Sequence, residues 1–233
     1  MRIWSVVFIT LLATAPVMAQ PPTVTPSVQA LGPAAKVTWN ATRTAVTRVS
    51  GIAAATNGAT PGERARNFVR AHAAMLGLEG DVAVEEVRAF TPPDPAIAHK
   101  VHTFVRLRPQ WQGLPIEGRS LVVRLDAELR VTSVTSDLGP LAVPTPTRTM
   151  SATDAAALVK ASYRIVGINT PEKVVLVRAS AGRVAWKFAV AVIPLQAQFY
   201  VWVDVESGQV LKEAPAAFDQ VMQQLPRREE VTP

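Results

Sequence analysis

Three histidines, His72, His99 and His102, are the only imidazoles from which this chain could build a metal site or a general base, and it has no cysteine at all. Thiolate nucleophiles, thiolate metal ligands and disulfides are therefore excluded. His99 and His102 would not share a strand face, because residues three apart in an extended segment point largely to opposite sides. A loop could bring the two together as a weak metal site. His72 falls on an apolar helical stripe with no second ligand at a useful helical spacing, so it reads as a partly buried packing residue. The acids Glu85 and Glu86 are adjacent, which on a strand sends their carboxylates to opposite faces and makes an exposed charge pair the natural reading. Asp126 and Asp204 sit beside expected turns, where a carboxylate accepts from backbone donors. The chain contains no His-Glu-x-x-His motif, no phosphate-cradling glycine loop and no dinucleotide fingerprint. The inventory assigns no catalytic residue, no cofactor and no metal ligand, and the chain reads as a protein that is not an enzyme.

The elements that must carry whatever the chain does begin after an export signal. Met1-Arg2 supplies a positive start, Ile3 to Ala13 an apolar run and Val17-Met18-Ala19 a small-residue cleavage pattern, placing the cut before Gln20. The apolar run is shorter than the roughly 20 residues of an ordinary transmembrane helix, and no later segment is long enough. A secreted or periplasmic protein with no stable membrane span after cleavage is expected, held together by packing alone. At 233 residues with 48% hydrophobic composition it can build one or two real cores.

The formal charge is +6 and the isoelectric point near 10.2, yet the arginines are spread among acids and strands rather than gathered in a basic arm. That pattern, without a groove-reading or base-stacking module, argues against nucleic acid. Arg106, Arg108, Arg119, Arg124 and Arg130 form the densest basic stretch. Strand alternation could put some of them on one sheet face, open to water or to an acidic partner surface.

Residues 20 to 34 read as a Pro- and Ala-rich linker. Val37 to Val46 alternates as one bent strand or two short ones, followed by a loop over Ala53 to Gly58. Thr60-Pro61-Gly62-Glu63 is a capping-box helix start, and Ala65, Phe68, Val69, His72, Met75 and Leu76 continue one stripe as far as Gly77. Strands are expected at Val84 to Phe90, Val101 to Leu107, Ser120 to Leu125 and Val131 to Leu138, forming a four-stranded antiparallel meander covered by the helix from Pro61 to Leu76. A second cycle opens at the capping signal Ser151-Ala-Thr-Asp154, with a short helix through Ala155, Leu158, Val159 and Ala161. Strands follow at Lys173 to Arg178, Val184 to Ile193, Phe199 to Val203 and Gln209 to Leu211. The Pro-rich segment Pro140 to Pro146 separates the cycles. The resulting expectation is an α+β fold of two units, each an antiparallel sheet packed against a helix.

The segment from Trp111 to Gly118 is turn-rich and runs toward a strand. Gly113 and Gly118 permit sharp backbone geometry, Pro115 restricts the segment between them, and Leu114 and Ile116 can bury side chains there. Trp111 can cap a core or meet a partner, with packing the plainer role. Lys36-Val-Thr-Trp-Asn40 through Gly51, the long stretch Phe104-Val-Arg-Leu-Arg-Pro-Gln-Trp-Gln-Gly-Leu-Pro-Ile-Glu-Gly118, Leu121-Val-Val-Arg-Leu-Asp126 and Val131 to Gly139 together resemble the fungalysin/thermolysin propeptide (FTP) domain. Pro109 departs from that pattern, where the family carries glutamine. Ser151 to Glu213, through Trp186-Lys-Phe-Ala-Val190 and Phe199-Tyr-Val-Trp-Val-Asp-Val-Glu-Ser-Gly-Gln-Val-Leu211, resembles the PepSY-like second half of such prosegments.

With the signal peptide over 1–19, the linker over 20–34, the Pro-rich linker over 141–149 and the tail over 215–233 read from the residues, the resemblance implies an FTP-like domain over 35–140 and a PepSY-like domain over 150–214. It also implies a function: inhibition or folding assistance of a secreted zinc metalloprotease, in trans or within a larger precursor. Lacking the zinc motif, this polypeptide cannot itself perform that proteolysis. It could equally be a cell-envelope binding or scaffold module, or the propeptide part of a divided or truncated precursor. Trp111, Leu114 and Ile116, with Arg119 and Arg124 as electrostatic contributors, are the residues expected to touch such a partner.

Overall fold

The structure is a computed structural model that describes residues 28, 30–78, 82–91, 102–139, 141–178, 180–192 and 197–216. The expected signal peptide, the tail beyond residue 216 and His99 lie outside these residues.

Two local signals place the helices. Helix α1 (Pro61–Ala71) opens with a complete capping box, the Thr60 hydroxyl accepting from the Glu63 amide at 3.2 Å while the Glu63 carboxylate accepts from the Thr60 amide at 3.1 Å. It ends at Ala71, short of the expected Leu76, and His72 caps it. The chain turns there, bringing Met75 and Leu76 into the core from a turn rather than from the helix. Helix α2 (Ala152–Ser162) is capped by Ser151, whose hydroxyl accepts from the Asp154 amide at 3.1 Å.

Among the described residues, twelve strands make one sheet. They are β1 (Lys36–Trp39), β2 (Val46–Ala54), β3 (Val82–Phe90), β4 (Thr103–Trp111), β5 (Leu114–Glu117), β6 (Leu121–Leu125) and β7 (Val131–Ser136), then β8 (Ile165–Ile168), β9 (Glu172–Arg178), β10 (Ala181–Val192), β11 (Ala197–Asp204) and β12 (Val210–Pro215). The spatial order is β1-β2-β7-β6-β4-β5-β9-β10-β11-β12, with β3 on the free edge of β4 and β8 beside β10.

This corrects the expected pair of separate sheet-and-helix units: the described residues are dominated by one large mixed sheet carrying the two short helices α1 and α2. The cause is β5, a strand that the sequence reading took for a turn-rich segment. One of its edges pairs with β4 and the other pairs in parallel with β9, Ile116 opposite Val175 and Glu117 opposite Leu176. An unpaired row of amides and carbonyls at that edge would have separated two sheets. Paired, it makes them continuous. Leu141 and Val143 also pack across this junction, and the Ala142 carbonyl accepts from the Gly182 amide at 2.8 Å, so the Pro-rich stretch lies along β10.

Both helices cover the same face. Val105 and Leu107 of β4 are buried in the cluster that includes Phe68 and Val69 of α1. Trp111, on the same side of β4, belongs to the junction cluster of Ile116, Val175 and Val184. Trp186 joins that cluster to the one under α2, built on Val159, Phe188 and Val201. The opposite face bears the alternate residues of each strand.

Candidate binding face

Trp111 and Leu114 face each other across a two-residue hairpin in which Gln112 and Gly113 take φ of 49° and 78°. Two consecutive residues with positive φ are the signature of the tight hairpin turns whose twist matches the flanking strands. Of the expected partner-contacting residues, Ile116 is 2% exposed, and Trp111 and Leu114 pack partly buried against the same cluster. Their apolar side chains fill the seam between the two halves of the sheet. Arg119 stands at the end of this segment, its guanidinium donating to the Asp137 carbonyl.

Arg124 is placed differently. Its neighbours Leu121, Val123 and Leu125 point into the core, so Arg124 projects onto the outer face of β6, directly opposite Phe104 of β4. Its guanidinium carbon lies 5.9 Å from the Phe104 ring centroid, within cation–π range. Its Nε is buried without a hydrogen-bond acceptor among the described residues.

Around it the outer face assembles a group that the sequence did not single out together. Phe104 stacks on Phe90 of β3, with ring centroids 5.4 Å apart and planes inclined by 19°. Arg88 lies over Phe90 at 5.4 Å. The next rung sets Arg88 directly opposite Arg106. Like charges facing each other across a ladder are destabilising, yet among the described residues no carboxylate bridges either arginine. Phe90 is 44% exposed.

The other arginines of the basic stretch are committed elsewhere. Arg108 reaches Glu85 at 3.2 Å and Glu172 at 3.8 Å. Arg130 holds Asp126 at 2.8 Å and Glu128 at 3.0 Å within its own turn. Burial opposes the ionised form of Asp126, but hydrogen bonds from the Arg130 amide and guanidinium outweigh it and hold the carboxyl below its ordinary range.

Glu85, Glu86, Asp204 and His72 all make contacts within the fold. Glu85 and Glu86 do face opposite ways, Glu85 outward to Arg108 and Glu86 toward α1, where Arg66 meets it at 3.2 Å. Asp204, 2% exposed, accepts from the Glu206 and Ser207 amides at 2.8 Å each. His72 packs on Phe68 with ring centroids 4.5 Å apart, and burial pushes its pKa down. Both ring nitrogens of His102 are buried without a partner among the described residues. No group of three or more His, Asp or Glu side chains placed to hold a metal occurs among the described residues, and no helix there is long and apolar enough to cross a membrane.

No family model and no curated protein matches this chain. Among solved structures, the Bacillus megaterium YpeB C-terminal domain is similar at 10% sequence identity and a TM-score of 0.35, over 74% of this chain and 72% of that one. YpmB protein from Bacillus subtilis is similar at 17% identity and a TM-score of 0.27, over 63% of this chain and 96% of that one. Similarities this slight carry no family assignment, and neither the FTP nor the PepSY half of the expected resemblance finds support in a family model.

Proposed function

We propose that this protein acts by binding, as an exported, prosegment-like inhibitor or folding assistant of a zinc metalloprotease, with no chemistry of its own. The observation that carries the reading is the outer face over β3, β4 and β6. There Arg88, Arg106 and Arg124 surround the stack of exposed Phe90 on half-buried Phe104, and among the described residues none of the three has a carboxylate partner. A hydrogen-bonded sheet is a rigid platform, so little conformational freedom is lost when a partner docks on it.

Inhibition on this reading is occlusion: the docked chain denies substrate and water a productive approach to the partner's cleft. Folding assistance comes from the same surface. A chain that binds the native-like protease better than its competing states shifts the population toward the native one by their difference in affinity. The resemblance of Phe104 to Gly118 and of Ser151 to Glu213 to metalloprotease prosegments names the partner class.

The test is direct. The purified chain, added to each secreted zinc metalloprotease of its source, is expected to lower activity or raise refolding yield for at least one of them. Absence of both effects across the set defeats the protease reading. Stable capture of an envelope polymer in its place reassigns the chain as a scaffold module.

A further inference from the structure

The outer face of β3 and β4 repeats a cross-strand arrangement with one member changed. Glu85 lies opposite Arg108, and the two meet at 3.2 Å. One rung further, across an irregularity in β3, Arg88 lies opposite Arg106. The first rung pairs opposite charges. The second holds two positive charges about one strand spacing apart, roughly 5 Å between backbones, and the third holds the Phe90–Phe104 stack with Arg124 beside it.

From this we infer that the Arg88–Arg106–Arg124 cluster with its phenylalanine stack is a docking surface for an acidic protein segment, one that sets two carboxylates beside an apolar side chain. This rests on the binding reading above and names the chemistry of the partner's contact surface. Guanidinium groups grip carboxylates through paired N–H donors, a geometry that lysine lacks, and all three charged positions here are arginine. The stacked rings offer an apolar patch between them, suited to a leucine or aromatic side chain of the partner.

The borders of the patch favour a compact protein contact over a long polyanion. Glu85 and Glu172 both sit at Arg108, immediately along β4 from Arg106. A nucleic acid or anionic polymer tracking across the sheet would meet these carboxylates at the neighbouring rung of the same face. A protein segment with two acids needs only the two rungs that lack them.

The experiment measures binding of the purified chain to a fluorescently labelled, Asp- and Glu-rich peptide carrying one central leucine, with heparin as a polyanion comparator. Binding that weakens with rising salt is expected. Each of R88Q and R106Q should lower affinity roughly tenfold, the loss of a charge-assisted contact, without lowering the unfolding temperature, because each relieves the repulsion between the pair. R43Q, at the β1–β2 turn, should leave binding unchanged. No binding of the peptide at low salt, binding by R88Q and R106Q as tight as that of the parent chain, or a preference for heparin that the same substitutions abolish would each overturn the assignment.

The two proposals fail separately. If the peptide binds through these arginines but no metalloprotease responds, the docking surface stands and the protease reading falls. If a protease is inhibited equally by the parent chain and by R88Q and R106Q, the protease reading stands and this surface is not its contact.

Discussion

Ile116 lies opposite Val175 in a parallel pairing of β5 with β9, and among the described strands this is the one parallel contact between named strands. Its side chain is 2% exposed and packs with Val175, Val184 and Val205. Immediately beyond, Glu117 meets Lys187 of β10 at 2.9 Å, with both side chains about four-fifths buried. A short strand, a small apolar cluster and an ion pair thus couple the sheet under α1 to the sheet under α2.

Truncating Ile116 to alanine should therefore weaken the junction rather than one half. Removing a buried isoleucine side chain costs about 2–5 kcal/mol, depending on how far the site can collapse. In denaturant titration the parent chain is expected to unfold in one transition, and I116A to unfold earlier and split into two. Loss of stability in a single unsplit transition would mean that other contacts suffice to couple the halves.

The capping box of α1 gives a pH signature. Hydrogen bonds from the Ala59 and Thr60 amides hold the Glu63 carboxyl below its ordinary range. A depressed carboxylate pKa contributes stability above the unfolded-state value and loses it as pH falls through the folded one. E63Q is expected to be less stable than the parent chain at neutral pH, with the difference closing in acid. Thr60→Ala removes the reciprocal bond and should cost about 1 kcal/mol by thermal or chemical unfolding.

Features written in a few consecutive residues were legible in the sequence. Thr60 to Glu63 and Ser151 to Asp154 announced both helix starts, and the carboxylates of Asp126 and Asp204 sit in the turns where their neighbours placed them. What depended on distant pairing was not. Leu114 to Glu117 is four residues long and contains Pro115, so nothing local marks it as a strand, and its second partner lies about sixty residues away in sequence. The outer face was hidden for a subtler reason. Simple alternation puts Arg88 and Phe90 on the same side as Val84 and Glu86, toward the helix. The register shifts between Glu86 and Arg88, and this bulge turns Arg88 and Phe90 outward to face Arg106 and Phe104.

Tyr163 supplies an alkaline test. Burial and then its hydrogen bond to the Glu213 carboxylate push the phenol up to about 12. A raised phenol pKa means that the folded chain holds its proton where the unfolded chain, near pH 10, has released it. Stability from this contact is complete below about pH 10 and is lost as pH rises toward the folded value. Y163F should be less sensitive to pH in this window than the parent chain, as read from unfolding temperatures across it. Identical slopes for the two would show that the contact with β12 adds nothing to the fold.

Arg88 and Arg106 can be tested for stability independently of any partner. Because the two charges face each other across the ladder with no bridging carboxylate among the described residues, R106E should convert a repulsive rung into an attractive one, matching the Glu85–Arg108 rung beside it. Opposed pairs on a sheet surface are each worth up to about 1 kcal/mol, which for a chain of this size corresponds to a rise in unfolding temperature of at most roughly 2–4 °C. The gain should shrink as salt screens the exposed charges. The double substitution R88E/R106E restores a like-charge rung and should return the unfolding temperature to near that of the parent chain. A chain that is stabilised by R106E yet carries arginine there holds a charge that its own fold does not require, and the same substitution should abolish docking of the acidic peptide. If R106E destabilises the fold, the guanidinium has an internal role and the outer face is structural.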